Sequence, residues 1–219
     1  MMTSNEPWLA PTYCEKCHKV FNFDLNDEKK DHLFCSPECE HEHYQQLYQK
    51  RISIIPLLYR KIDCDYHDLV MNGIYNSLIL MGPSGVGKSV AAGSMSKEIV
   101  KDPKRRVYWI NYARFINKLQ CLYRRSVNEI SPYEYTKKYM SFNGTLVLDD
   151  FGAEKLSDSV RNTTYSIISY REEYNLHTII TTNLSLDEID KLNGSRISSR
   201  IVGFCKPIKL DGKDRRLQK

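Results

Sequence analysis

Short apolar runs alternate with longer amphipathic stretches over residues 71–219 of this chain. Runs of strand length, bounded by glycine, proline or polar clusters, predict buried β-strands. Such runs lie at 78–81, 106–110, 145–148, 177–182 and about 206–210. The stretches between them predict helices, among them about 112–125, 132–140 and 158–174. This alternation of strands and helices predicts an α/β fold.

The first 45 residues have a different pattern, with few large apolar side chains and two close cysteine pairs. Cys14 and Cys17 form one pair, and Cys35 and Cys39 form the other. Each pair lies in a tight turn and can supply two of the four ligands of a tetrahedrally coordinated ion. The spacing therefore predicts a structural Zn²⁺ site with four thiolates. The segment between the pairs is too polar to bury a core. We therefore expect metal binding to supply its folding free energy.

The second cysteine pair also carries signals for the start of a helix, as at the end of a treble-clef finger. Ser36 is suited to cap that helix, and Pro37 to be its first residue. Histidines near the pairs offer an alternative to one of the four thiolates. These are His18, His41 and His43.

Three parts of the chain follow from these patterns. Residues 1–45 form the predicted zinc-binding module, 46–70 a linker that leads into the next domain, and 71–219 the α/β domain. Pro56 marks a break within the linker. The basic and aromatic run 59–61 either contacts nucleic acid or packs against the α/β domain.

Composition narrows the class of protein. The chain has 41% hydrophobic residues, 27% charged residues and a net charge of +5, which permits a nucleic-acid partner without requiring one. No apolar run approaches the ~20 residues of a membrane span, and the N-terminus lacks the apolar core of a secretory signal. We therefore expect a cytoplasmic protein with no membrane partner and reduced cysteines. Cys64, Cys121 and Cys205 are expected to pack as small apolar side chains.

A glycine-rich turn joins the first apolar run of the α/β domain to the next helix. It consists of Gly82, Pro83, Ser84, Gly85, Val86, Gly87, Lys88 and Ser89. This spacing, G-x-x-x-x-G-K-[ST], lets backbone N–H groups surround a phosphate at a helix N-terminus. Lys88 would reach the outer phosphates and Ser89 would ligate Mg²⁺. An ordinary glycine turn would leave the Lys-Ser pair unexplained, so the motif predicts a phosphate-binding loop.

Two acids, Asp149 and Asp150, follow the apolar run at 145–148. One carboxylate can hold the Mg²⁺ shell through Ser89 and water, and the next can orient or deprotonate the attacking water. We assign Asp149 to the metal and Asp150 to the water. The side chain of aspartate is shorter than that of glutamate, so Asp150 reaches less far toward the attacking water. We therefore expect slow hydrolysis.

Asn183 ends the following apolar run. If its strand lies between the phosphate loop and the acidic strand, its amide would reach the γ-phosphate and position the water. The alternative is that Asn183 caps the helix after it.

Basic residues cluster at three further places. Arg196 and Arg200 lie four residues apart on one predicted helix face, and Arg215 and Arg216 lie near the C-terminus. Arginine binds phosphate in a bidentate way, and an outward-facing Arg200 would complete a neighbour's site. The run 123–125, with a tyrosine and two arginines, fits a contact with nucleic acid. A solvated basic surface explains all three clusters equally well.

The motifs GPSGVGKS, LVLDDFG, TTNLS, SRISSRI and GKDRR, in that order, resemble the AAA+ ATPases of the DnaC/DnaI helicase-loader and IstB-like group. The resemblance covers about residues 54–216. It implies a P-loop AAA+ (ASCE) fold, with a parallel sheet flanked by helices and without a full lid domain, that binds ATP and Mg²⁺. It also implies roles for the site residues: Walker A at 82–89, Walker B at Asp149 and Asp150, sensor 1 at Asn183, an arginine finger at Arg200 and a sensor-2-like contact at Arg216.

The resemblance further implies an ATP-controlled switch. ATP would favour self-association through the ATP site, and the assembled subunits would hold single-stranded DNA or a helicase ring. The N-terminal zinc module resembles that of the DnaI type, which contacts the replicative helicase. Three functions stay open: a helicase loader, of phage or plasmid type given its short length; the ATPase subunit of a transposition system; and a zinc-dependent adaptor whose nucleotide site is regulatory or inactive.

Overall fold

The computed structural model describes four segments of the chain: residues 9–24, 33–124, 130–152 and 156–215. Two of the predicted phosphate contacts, Arg125 and Arg216, lie outside these segments. The chain divides into two compact units, Met1–Arg51 and Ile52–Lys219. Helices within the described segments are too short or too polar to cross a membrane.

The described part of the N-terminal unit has a two-stranded antiparallel sheet and a long helix. Strand β1 (Leu9–Tyr13) pairs with β2 (Val20–Asp24), and helix α1 spans Pro37–Ile52. The hydroxyl of Ser36 accepts a hydrogen bond of 3.3 Å from the backbone N–H of Cys39, which confirms the predicted cap. Because α1 buries none of its side chains, local hydrogen bonds matter more than core packing at its start.

The second unit alternates helices with strands. Its described helices are α2 (Leu57–Arg60), α3 (His67–Tyr75), α4 (Lys88–Ile99), α5 (Tyr112–Arg124), α6 (Pro132–Met140), α7 (Asp158–Glu173), α8 (Leu186–Asn193) and α9 (Ser195–Phe204). Its described strands are β3 (Leu78–Met81), β4 (Val107–Asn111), β5 (Thr145–Asp149), β6 (Thr178–Thr182) and β7 (Lys206–Lys209). The strands agree with the predicted apolar runs to within about a residue at most ends.

All five strands form one parallel sheet in the order β4-β5-β6-β3-β7. Every residue of β5 and β6 is buried, as expected for central strands covered by helices on both faces. The predicted α/β fold with a parallel sheet flanked by helices is confirmed. Because β6 lies between β3 and β5, the carboxyl ends of these three strands meet at the same edge of the sheet.

A buried arginine ties the end of α7 to the opposite edge of the sheet. Arg171 is 0% exposed, and its guanidinium donates to the carbonyl oxygens of Tyr139 (3.0 Å), Gly144 (3.0 Å) and His177 (2.8 Å). Its Nε donates to the hydroxyl of Thr178 at 2.9 Å. Burial lowers the pKa of Arg171 to about 10, so the side chain is charged at neutral pH. Backbone carbonyls therefore solvate this cation in place of water.

Candidate nucleotide-binding site and metal centre

The phosphate loop leaves β3 at Gly82 and enters α4 at Lys88. Gly82, Gly85 and Gly87 have φ values of 147°, 80° and 102°, a region that side-chain-bearing residues rarely adopt. A Cβ at Gly82 would lie 2.0 Å from the carbonyl oxygen of Leu210, so only glycine fits there. The loop therefore wraps the backbone around the N-terminus of α4, where N–H groups and the helix dipole favour a phosphate.

Lys88 and Asn183 meet beside this loop. Lys88 is 5% exposed, and its Nζ donates to the carbonyl oxygens of Gly82 and Pro83 and to Oδ1 of Asn183, each at 2.7 Å. Asn183 reaches this position because its strand, β6, is the neighbour of β3. The alternative role of Asn183 as a helix cap is wrong, since the side chain of Ser185 caps α8.

Asp149 ends strand β5 and is 3% exposed. Its Oδ1 accepts hydrogen bonds from the hydroxyls of Ser89 and Thr181, both at 2.7 Å. Burial raises the pKa of Asp149; the two hydroxyl donors oppose this rise, and the charge of Asp150 adds to it. Mg²⁺ prefers oxygen ligands and commonly takes one or two carboxylates. Ser89 and Asp149 therefore have the chemistry and the proximity to hold Mg²⁺ together.

Thr181 is a site residue to which the sequence analysis assigns no role, although it begins the TTNLS motif. While its hydroxyl donates to Asp149, it also accepts a hydrogen bond of 3.0 Å from the backbone N–H of Asp150. Asp150 has an exposed side chain and a φ of 58°, so the chain turns sharply directly after the buried carboxylate. A threonine inside a predicted buried strand could have indicated this role, because a buried hydroxyl needs a hydrogen-bond partner.

Arg200 lies on α9 and pairs with a residue of α7. Its Nη1 lies 2.6 Å from Oε2 of Glu172, and its Nη2 lies 3.5 Å from the hydroxyl of Tyr165. Its side chain is 43% exposed. Within the described segments, its hydrogen bonds go to α7 rather than to the phosphate loop of its own chain.

Arg215 lies beside the loop, whereas Arg216, for which a sensor-2-like contact is predicted, lies outside the described residues. Its backbone N–H donates to the carbonyl oxygen of Gly85 at 3.0 Å. Its guanidinium donates to Asp65 at 3.0 Å and to the hydroxyl of Tyr66 at 2.9 Å. The C-terminal segment is thus attached to the loop through its backbone, and to the residues before α3 through the Arg215 side chain.

The cysteines of the N-terminal unit form a sulfur cluster, with all four ligand atoms within 4.8 Å of one another. They are Cys14, Cys17, Cys35 and Cys39. The sulfur of Cys35 lies 3.5 Å from that of Cys17 and 3.6 Å from that of Cys39. Four sulfurs bound at ~2.3 Å to a tetrahedral zinc would lie ~3.8 Å apart, so this donor set fits zinc. No histidine of the described residues joins the cluster.

Cys14 is the most enclosed of these thiols. Burial acts to raise the pKa of Cys14, but hydrogen bonds from the backbone, including those of Cys17 and Cys35, outweigh it and bring the pKa to about 6. Because the thiolate is the form that binds a metal, these backbone donors prepare the site for a cation.

The parallel sheet, the phosphate loop and the Ser89–Asp149 pair at its edge define an ATP-binding protein of the P-loop AAA+ type. The family described as IstB-like ATP binding protein matches residues 66–219. The chain belongs to this family.

Curated relatives match parts of the chain in sequence. The chain is 26% identical to the replicative helicase loader DnaI of Bacillus subtilis (strain 168) in an alignment of length 154 that covers 64% of this chain and 47% of that protein. It is 37% identical to the chromosomal replication initiator protein DnaA of Leptospira biflexa over 92 residues, 39% of this chain and 20% of that protein. The chain thus spans about half the length of DnaI and a fifth of that DnaA.

Two solved structures share the fold. The crystal structure of DnaI has a TM-score of 0.57 at 21% identity and covers 78% of this chain and 93% of its own. The DnaC helicase loader has a TM-score of 0.51 at 24% identity and covers 78% of this chain and 99% of its own.

Proposed function

We propose that this chain is an ATP-dependent helicase loader, which binds a replicative helicase and single-stranded DNA under the control of ATP. The observation that carries the proposal is the pairing of Lys88 with Asn183, and of Ser89 with Asp149, in an IstB-like domain. The sequence similarity to a protein named as a replicative helicase loader supports it. A phage or plasmid origin and a cytoplasmic location stay predictions from the sequence.

In the proposed site, the phosphate loop holds ATP by its phosphates. Lys88 exchanges its carbonyl and amide acceptors for outer-phosphate oxygens, and Ser89 and Asp149 hold Mg²⁺. The ion supplies charge neutralisation on the phosphates. Asp150 orients the attacking water and Asn183 reaches the γ-phosphate. We expect slow hydrolysis from the short Asp150 side chain, which suits a protein whose output is a change of binding partner.

Self-association through the ATP site is the second part of the proposal. Arg200 is half-exposed and would complete the site of a neighbouring subunit after leaving Glu172. The side chains of Arg200 and Glu172 are 43% and 22% exposed, so solvent reaches this ion pair and can replace the guanidinium when it leaves. Contact with the γ-phosphate charge would then favour assembly when ATP is bound.

The N-terminal module, residues 1–45, is the proposed docking element for the helicase. Its cysteine cluster would fold the module around zinc. Residues 46–70 would connect this module to the ATPase domain at 71–219.

The test is a pull-down of the replicative helicase of the host with the purified full chain, in ATP and in ADP. The double variant Cys14→Ser/Cys17→Ser and the variant Arg200→Ala are compared with Cys121→Ser, which changes an exposed cysteine outside the cluster. Zinc content is measured on the same samples. We expect wild type and Cys121→Ser to retain helicase, and the double variant to lose both zinc and helicase.

Absence of helicase in both nucleotides would overturn the loader proposal. Capture of a transposase instead would favour the transposition ATPase. Full partner binding and biological activity in Lys88→Ala would favour an adaptor with an inactive nucleotide site.

A further inference from the structure

A hollow of about 580 Å³ beside the end of β5 borders the proposed ATP site, since Asp149 and Asp150 line it, but its other lining residues have no role in the function proposed above. Six aromatic side chains line it: Tyr59, Tyr108, Trp109, Phe115, Tyr135 and Tyr139. Some of these rings are already stacked in pairs, with centroids 5.5 Å apart for Tyr59 and Trp109 and 5.7 Å apart for Phe115 and Tyr135. Trp109, Phe115 and Tyr139 are buried, so the aromatic surface that a ligand can reach belongs mainly to the half-buried Tyr59, Tyr108 and Tyr135.

Both basic and acidic side chains lie at the hollow. Arg60 and the exposed Arg114 line it. The ammonium of Lys138 lies 5.1 Å from the ring centre of Tyr135, one of the lining residues. The exposed carboxylate of Asp150 also lines the hollow. A ligand that fits must therefore combine flat rings with anionic groups on the basic side and hydrogen-bond donors toward the acid.

We propose that this hollow holds an unstacked base of single-stranded DNA. The base would stack on the aromatic wall, and Arg114 and Lys138 would contact the flanking phosphates. Duplex DNA does not fit this description because its bases are already paired and stacked. The inference rests on the proposed function, which invokes single-stranded DNA, and assigns the place and the chemistry of that contact.

The first test is the affinity for a fluorescein-labelled oligo(dC) of about 20 nucleotides, longer than the ~4–16-nucleotide sites typical of single-strand-binding folds. Tyr135→Leu removes a wall of the hollow, and we expect a loss of affinity of roughly 5- to 100-fold, the value of one stacked base. Tyr133→Leu is the matched control, since this exposed tyrosine of the same helix does not line the hollow. Tyr135→Phe keeps the ring and should retain the affinity.

Arg114→Ala tests the phosphate contact. We expect weaker binding and a fall of about 0.7 in the slope of log affinity against log salt, the value of one phosphate contact on a single strand. Lys118→Ala, one turn further along the exposed face of the same helix, should keep the wild-type slope.

A second measurement reports the hollow directly. Trp109 becomes the only tryptophan in Trp8→Phe, since the chain has two. Oligo(dC) should quench its fluorescence, and free dCMP at the same nucleotide concentration should not.

Absence of quenching, together with wild-type affinity in Tyr135→Leu, would overturn the inference even if the helicase is retained. Equal quenching by dCMP would overturn it in favour of a mononucleotide pocket. Quenching by oligo(dC) with no helicase retained would support the DNA contact while overturning the loader proposal.

Discussion

The hydroxyl of Ser89 donates a hydrogen bond of 2.7 Å to the carboxylate of Asp149, a residue sixty positions later in the chain. Ser89 lies at the start of α4, after the loop that follows β3, and Asp149 ends β5. These two strands are not neighbours, since β6 lies between them. The intervening strand contributes Thr181, whose hydroxyl donates to the same oxygen at 2.7 Å. Asp149 is thereby held in one orientation by two donors, an arrangement that prepares a buried carboxylate for a cation.

Thr181→Val should weaken the dependence of ATP affinity on Mg²⁺. Valine keeps the shape of threonine but leaves Asp149 with one hydroxyl donor, at a cost of about 1 kcal/mol, or roughly fivefold in affinity. Titration with a fluorescent ATP analogue, with and without Mg²⁺, measures this change. Thr163→Val, at a half-buried position of α7 away from Asp149, is the control, and equal Mg²⁺ dependence in both variants would contradict the proposed orienting role.

Mixing two inactive variants should restore hydrolysis if Arg200 acts on a neighbouring subunit. Lys88→Ala removes the phosphate contact within a subunit, and Arg200→Ala removes the contact supplied to the next one. Each variant alone should lose hydrolysis, by ~10³-fold or more for an arginine finger, whereas some interfaces in the mixture contain both residues. Steady-state phosphate release measures the recovery.

Glu172→Gln is the matched variant for that experiment, because it weakens the ion pair of Arg200 and leaves the arginine in place. It should keep or raise the hydrolysis rate. A loss as large as that of Arg200→Ala would mean that the Arg200–Glu172 pair acts structurally.

Removal of the metal should unfold the N-terminal unit and leave the ATPase domain folded. The described part of this unit buries little apolar surface and α1 buries no side chain, so the sulfur cluster is its main source of stability. We expect about one zinc per chain by elemental analysis, lost in Cys17→Ser and kept in Cys121→Ser. Limited proteolysis after chelation should cleave within residues 1–51 first. Full zinc content in Cys17→Ser would contradict the four-thiolate site.

Acidification below about pH 6.5 should destabilise the fold through His177. Burial lowers the pKa of this imidazole below its ordinary value of 6.5, and its ring nitrogens lie 2.7 Å from the Thr145 hydroxyl and 3.0 Å from the Asn76 carbonyl. As the pH falls below the ordinary pKa, the unfolded chain takes up a proton before the folded chain does. Stability is therefore fully present above that value and declines below it.

Thermal unfolding from about pH 7.5 to about pH 5.5 measures this decline. His177→Gln should flatten it, whereas His67→Gln, at an exposed position, should not. Parallel pH profiles for wild type and His177→Gln would contradict the assignment.

Arg171→Met should destabilise the second unit by at least about 2 kcal/mol. The substitution removes the guanidinium donor from the carbonyl oxygens of Tyr139 and Gly144, and each unsatisfied buried acceptor costs ~1–3 kcal/mol. The carbonyl oxygen of His177 loses one donor but keeps the backbone N–H of Leu146 at 3.0 Å. Chemical denaturation measures the loss, with Arg124→Met at an exposed position as the control. A change below about 1 kcal/mol would show that water replaces the guanidinium.

Local patterns in the sequence were enough to predict the parts of the structure that depend on residues close together in the chain. Apolar runs predicted the strands because burial on both faces requires them, and the glycine spacing predicted the phosphate loop because the turn needs positive φ. The Ser-Pro signal placed the start of α1 correctly for the same reason: a cap acts within one helical turn.

Only the tertiary structure decided which distant residues meet. The order of the strands puts Thr181 between Ser89 and Asp149, and no periodicity in the chain encodes that order. Arg200 could have faced its own loop, a neighbour or Glu172, and the packing of α9 on α7 places it beside Glu172. Long side chains and parallel strands make their contacts across crossover connections, so their partners follow from the assembled fold and not from spacing along the chain.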